Sequence, residues 1–161
     1  MSRIDNEIRI TPSVLDRLLD DRPEDTREAP ASRQTSLRLL KQSVRRDLEW
    51  LLNTRSEPGS VPEELVELNR SLARFGLPDF TSWNVRGGMD QETLRRSIED
   101  AVAKFEPRLE GVVVTLEAMS DVDRSVRFRI DARLRVEPAP EPVSFDSVLQ
   151  LANREFELSG S

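Results

Sequence analysis

Four arginines, Arg127, Arg129, Arg133 and Arg135, alternate with apolar residues. That spacing puts all four on one face of a single strand. Guanidinium groups in a row pair with carboxylates or phosphates through planar, two-pronged hydrogen bonds. Nucleic acid is the first partner to weigh, and it is disfavoured. The chain carries a net charge of −6, and no aromatic residue shares the arginine face to stack on bases. Two readings then stand. One is a solvated sheet face whose sign is mixed by Asp131. The other is a surface for an acidic protein partner, in which an exposed charged strand also accepts an extended segment along its edge.

Carboxylates are the other chemical resource. Glu106 and Glu110 flank a Glu-Pro-Arg joint at Glu106, Pro107 and Arg108, and Asp121 and Asp123 fall in a turn. Neither spacing identifies an acid and a base. The chain has no cysteine and no histidine. Disulfides, thiolate metal sites, Ser-His-Asp triads and the usual base near neutral pH are therefore absent. Carboxylate-pair chemistry of the glycosidase kind stays open. Gly87-Gly88 alone is too little for a phosphate loop. The expectation is no catalytic residue, no cofactor site, no metal site and no enzyme.

The elements that position these residues change character at the joint. Before Phe105 the apolar residues recur with a helical period; after Leu109 they recur every second residue. Pro107 lacks an N–H and biases Glu106 away from helical geometry, so a helix stops there. Glu106 and Arg108 then either fix the angle of the joint as a local ion pair or meet a partner at the seam.

Upstream, Leu37, Leu40, Val44, Leu48 and Leu51 form the strongest helical stripe, widened by Leu39, Trp50 and Leu52. Thr35 or Ser36 caps this helix, and Glu57-Pro58-Gly59-Ser60 follows it as a turn. Pro62-Glu63-Glu64 opens a shorter helix with Leu65, Leu68 and Leu72 inward, stopped near Gly76. Phe80 and Trp83 pin a loop to the core. Asp90 caps a further helix that buries Leu94, Ile98, Ala101, Val102 and Phe105. Downstream, Val112, Val114, Leu116 and Ala118 mark one strand, and Val126, Phe128, Ile130, Ala132, Leu134 and Val136 mark a second. An antiparallel register with Ala118 opposite Val126 sets Glu117 opposite Arg127. Pro138, Pro140 and Pro142 form a stiff connector unsuited to a central ladder. Val143, Phe145, Val148, Leu149 and Leu151 then suggest a third, bulged strand.

The expected fold is α+β, with three to four helices packed on a small antiparallel sheet of about three strands. Residues 35–152 form its one domain, as the length of 161 residues allows. Residues 1–34 are an arm, with a short amphipathic helix around Leu15, Leu18 and Leu19 and a polar linker over 24–33. That apolar stripe is too short to bury itself and docks on its own domain or on a partner. Residues 153–161 are a tail that frays. Charged residues make up 34% and apolar ones 37%, which points to a modest core under a heavily charged surface. Only Lys41 and Lys104 among the 24 basic residues are lysine. No apolar run reaches membrane-span length and no leader is visible, so a cytoplasmic protein without direct membrane insertion is expected.

The order of these features resembles one family. The helix segment Ser43-Val44-Arg45-Arg46-Asp47-Leu48-Glu49-Trp50-Leu51-Leu52-Asn53-Thr54-Arg55, the loop Gly76-Leu77-Pro78-Asp79-Phe80 and the joint Phe105-Glu106-Pro107-Arg108-Leu109 are similar to motifs of the TssE family. Those are type VI secretion baseplate subunits, related to the lysozyme-like wedge proteins of contractile phages. Val14-Leu15-Asp16-Arg17-Leu18 resembles the family's N-terminal leucine-rich segment, and Pro142-Val143-Ser144-Phe145-Asp146 the start of its last strand. The resemblance implies a non-enzymatic wedge subunit at the cytoplasmic side of the inner membrane. It implies TssF, TssG and, through the wedge, TssK as partners, and a role in starting the TssB/TssC sheath. Leu15, Leu18, Leu19, Glu106, Arg108, Arg127, Arg129, Arg133 and Arg135 are then the candidate contact residues. The other readings are a muramidase-type peptidoglycan hydrolase, or the equivalent wedge protein of a phage tail or extracellular contractile injection particle.

Overall fold

A computed structural model describes residues 10–19, 32–56, 61–62, 64–80, 82–83, 88–120 and 125–160, without the side chains of 118–120. The expected linker up to residue 31, the turns at 57–60 and 121–123, and Gly87 lie outside these. The elements are α1 (Val14–Leu18), α2 (Arg33–Asn53), α3 (Val66–Arg70), a 3-10 turn (Leu72–Arg74), α4 (Gly88–Phe105), β1 (Leu109–Ser120), β2 (Ser125–Leu134), β3 (Glu141–Gln150) and β4 (Glu155–Ser159). The four strands form one antiparallel sheet in the order β1-β2-β3-β4. The α+β expectation holds, with one strand more than expected.

The helical stripes are buried where the period placed them. Val44, Leu48, Leu51 and Leu52 of α2, and Leu94, Ile98, Ala101 and Val102 of α4, meet the sheet face made by Val126, Phe128, Ile130, Ala132, Leu134, Val143, Phe145 and Leu149. Each large side chain so buried contributes roughly 1.5–3 kcal/mol. Leu39 and Trp50 do not widen the stripe of α2; Trp50 is 66% exposed. Phe80 pins its loop as expected, fully buried edge-on to Phe156 at 6.0 Å.

Several boundaries differ from expectation, each for a local reason. Ser32, not Thr35 or Ser36, caps α2, because its hydroxyl accepts the Thr35 N–H and starts the helix earlier. Asp90 lies in the first turn of α4 and not at its cap. The helix expected from Pro62 is a single turn, α3, and Leu65, Leu68 and Leu72 are exposed. Ser71 interrupts it in an extended conformation and caps the 3-10 turn instead. On β1 the register shifts between Leu116 and Met119, so Met119 and not Ala118 faces Val126. Glu117 is thereby moved off Arg127 and reaches Arg129 at 2.9 Å. β3 pairs with β2 without interruption, so Val143, Phe145, Ser147 and Leu149 face the core and Val148 does not. Pro142 lies inside β3 opposite Arg133; it is tolerated there because β4 pairs only with Asp146–Gln150 and leaves that end of β3 unpaired on its far side.

The expected tail is the largest correction. Residues 155–159 are β4, with Phe156 and Leu158 buried in the core. The turn at residues 151–154 carries Arg154 at φ 61, which folds the chain back onto β3.

Gly76 joins the helical half to this core. It has φ +106, and Leu77 beyond it bridges to Arg55. A Cβ at position 76 would lie 2.4 Å from the Thr54 carbonyl oxygen. Gly76→Ala is expected to cost about 2–3 kcal/mol, since it meets both a backbone region nearly closed to other residues and a rigid clash. A drop in the urea midpoint at unchanged slope checks it; an unchanged midpoint refutes it.

Candidate functional site

The Glu-Pro-Arg joint is the hub of a polar network between α2 and the start of the sheet. The α4 helix ends at Phe105, and Pro107 turns the chain into β1. This brings the Arg108 guanidinium back over Glu106. Arg108 Nε donates to Glu106 Oε1 at 2.6 Å, and Nη2 donates to Glu106 Oε2. The same guanidinium donates to Asp47 Oδ2 at 2.6 Å and to Ser43 Oγ at 3.0 Å. Ser43 and Asp47 are four residues apart on α2 and so share one helix face. Glu106 is only 4% exposed. The Glu106 fork, then Asp47, holds the Arg108 guanidinium above its ordinary pKa against the opposing effect of burial.

The network continues to the arm. Ser43 Oγ donates to the Asp16 carboxylate at 2.7–2.8 Å, and Arg46 Nη2 donates to it at 2.9 Å. Arg46 also bonds Asp47 Oδ1 at 2.8–2.9 Å. Within α1, Asp16 closes a capping box with Ser13. Burial pushes the Asp16 carboxyl up, but hydrogen bonds from Ser13, Ser43 and Arg46 outweigh it and lower its pKa to about 2. Asp16 therefore stays ionised and docks the arm on its own domain.

The arginine row lies on the exposed face of β2, with Arg135 one residue past its end, on the side away from the helices. Arg129 pairs with Glu117 at 2.9 Å and Asp146 at 3.0 Å; Arg133 and Arg135 approach Glu110 at 3.4 Å. These are exposed pairs of small individual worth. Among the described residues, Arg127 has no ion pair. β2 lies between β1 and β3, so the expectation that this strand accepts another chain along its edge is corrected. The register of the sheet, which alternation within one strand does not encode, decides this.

The edges of the sheet are elsewhere, and helix side chains hold both. On β1, the Val114 N–H donates to Glu99 Oε1 at 2.8 Å and its carbonyl accepts from Arg95 at 3.3 Å. On β4, the Asn53 amide donates to the Phe156 carbonyl at 2.9 Å and its oxygen accepts the Phe156 N–H at 2.8 Å. Helix side chains thus occupy backbone groups that an added strand needs. Residues 141–145 of β3 have no strand on β4's side.

Of the candidate residues, the structure brings Glu106 and Arg108 together; the Arg108 carbonyl accepts the Arg135 N–H at 2.8 Å, and α1 with its leucines reaches Arg108 only through Asp16 and Ser43. Leu15 and Leu19 line a shallow groove with Arg46, Glu49, Trp50 and Asn53. Leu18 is 75% exposed. Asp16, Ser43, Arg46 and Asp47 complete the network, and sequence reasoning passed over them as functional residues. A usable signal existed for two pairs: Ser13 to Asp16 has capping-box spacing, and Ser43 to Asp47 has helical spacing. Among the described residues no group of histidine, cysteine, aspartate or glutamate side chains could hold a metal ion, and no helix is long and apolar enough to cross a membrane.

Comparison with known proteins shows a family and a structural likeness. The family model for the baseplate wedge protein gp25 matches residues 38–139, well over half the chain. A chain from a solved structure titled "The baseplate complex from the type VI secretion system" is similar at 21% identity and a TM-score of 0.48, covering 70% of this chain and 96% of that one. No curated protein sequence matches.

Proposed function

This chain belongs to the baseplate wedge protein gp25 family, and from that premise we propose that it is a non-enzymatic structural subunit of a type VI secretion baseplate wedge. In this reading it binds TssF and TssG, meets TssK through the wedge, and helps the TssB/TssC sheath begin to polymerise at the cytoplasmic side of the inner membrane. The observation that carries the reading is the content of the matched segment. Residues 38–139 hold most of α2, including Ser43 and Asp47, with the joint and the hairpin, which the Arg108 network ties together. The secretion-system assignment, as against a phage tail or extracellular particle, rests on the order of the motifs from Ser43 to Asp146.

The muramidase reading requires a protonated acid and a carboxylate facing each other across a sugar cleft. Glu106 is buried with both oxygens engaged by Arg108, which speaks against its acting as that acid. For sheath assembly, the arginine face offers guanidinium groups beside residues 141–143 of β3, which β4 does not pair. An extended sheath segment would add at that stretch, with the arginines contacting its acidic side chains.

Reversing Arg127, Arg129 and Arg133 to glutamate is expected to leave the fold intact, since each exposed pair is worth about 0–1 kcal/mol. It is expected to abolish sheath assembly in cells. Normal sheaths in that variant would remove the arginine face from the account.

A further inference from the structure

The contact that closes the polar network from outside is made by Asp16, which precedes the segment matched by the family. It is the hold of α1 on the domain. No residue of α1 is buried, and Val14 and Leu18 are more than two-thirds exposed. A five-residue helix is far below the length that sustains itself in water. The docked turn therefore depends on what Asp16 accepts from Ser43 and Arg46. The site carries no excess positive charge, because Asp47 and Glu106 already balance Arg46 and Arg108; the Asp16 carboxylate is held by its own close ion pair with Arg46 at 2.9 Å. With that pair go directed donors that suit a carboxylate: the Ser43 hydroxyl, oriented by accepting from Arg108, and one charged arm of the Arg46 guanidinium. Such a set receives any carboxylate offered in the same geometry. Arg46 also lines the apolar groove that Leu15, Leu19 and Trp50 form beside it.

We propose that Ser43 and Arg46, braced by Arg108, form a carboxylate socket that Asp16 fills in cis. An acidic side chain in the first turn of a partner's leucine-bearing helix exchanges with it. The arm is then a built-in occupant that sets the chemistry of its competitor: a capped helix start with an aspartate or glutamate, and leucines on the following turn. Exchange releases α1 and leaves the Glu106–Arg108 fork in place. That the partner is a wedge subunit rests on the baseplate reading; the exchange itself does not.

The test uses the full chain, isotopically labelled for amide NMR, and a peptide of residues 10–19 as the probe. In Asp16→Ala, where the cis occupant is removed, the peptide is expected to shift the amides of Ser43, Arg46 and Arg108. The wild-type chain is expected to show much smaller shifts at the same peptide concentration, because the tethered arm competes at a millimolar effective concentration. A peptide carrying D16N is expected to shift neither. Equal responses from the two chains, equal responses to the two peptides, or no shift at about 5 mM peptide each overturn the proposal. Sheet amides check that the variant is folded, and Asp16→Asn serves as a second variant. Failure of the wild-type chain to bind TssF and TssG would sink the baseplate reading and leave these shifts unchanged.

Discussion

Arg108→Ala is expected to destabilise the domain by about 3–5 kcal/mol, the cost of removing one partner from a buried ion pair. The loss goes beyond the broken hydrogen bonds. Glu106 is 4% exposed, and both of its oxygens take the Arg108 fork. Without the guanidinium, a carboxylate remains out of water beside Asp47, which keeps Arg46 but loses its second cation. Domain stabilities are about 5–15 kcal/mol, so the variant is expected to be partly unfolded at modest temperature. Arg108→Lys is expected to recover only part of the loss, because an ammonium cannot reproduce the two-pronged geometry toward Glu106 while reaching Asp47 and Ser43. The double substitution Glu106→Gln with Arg108→Ala is expected to cost less than Arg108→Ala alone, since no buried charge is then orphaned. Urea unfolding of the three variants measures this. A single-variant loss below about 1 kcal/mol would assign the joint to a partner surface instead of the fold.

Phe156→Ala is expected to cost a similar amount, about 3–5 kcal/mol. Phe156 is 1% exposed and packs on Phe80 at 6.0 Å and Phe128 at 6.2 Å. Truncation leaves a cavity between the loop, the sheet and the end of α2. The backbone of the same residue is clasped by Asn53, so the surroundings are pinned and collapse poorly into the space. Thermal unfolding with matched circular-dichroism and calorimetric readouts checks the value. A cost under about 1 kcal/mol would mean that residues 155–159 are dispensable, as a fraying tail would be.

These two residues show where sequence was informative and where it was not. The stripe of α2, the stripe of α4 and the alternation of β2 were legible because burial follows the period of the local backbone. The joint was legible because Pro107 acts on its immediate neighbours. β4 was missed because Glu155 to Ser159 is short and polar, and it acquires two buried side chains only once β3 is beside it. α3 falls short of that expectation because Leu65, Leu68 and Leu72 have helical spacing, but Ser71 stops the helix and the described residues leave all three exposed.

The amino-acid sequence by itself determined the α+β class, the helix-to-strand change at Glu106-Pro107-Arg108, the arginine row on one face, and the absence of histidine and cysteine chemistry. All of these are local: they follow from residue type and from spacing along the chain. The tertiary structure alone decided that β2 is an interior strand, that helix side chains occupy backbone groups on both sheet edges, and that Arg108 reaches Ser43 and Asp47 on α2. It also decided that Asp16 docks the arm in cis. Each of these is a contact between residues far apart in the chain. Its energy depends on burial and on the geometry of a partner that no local pattern specifies.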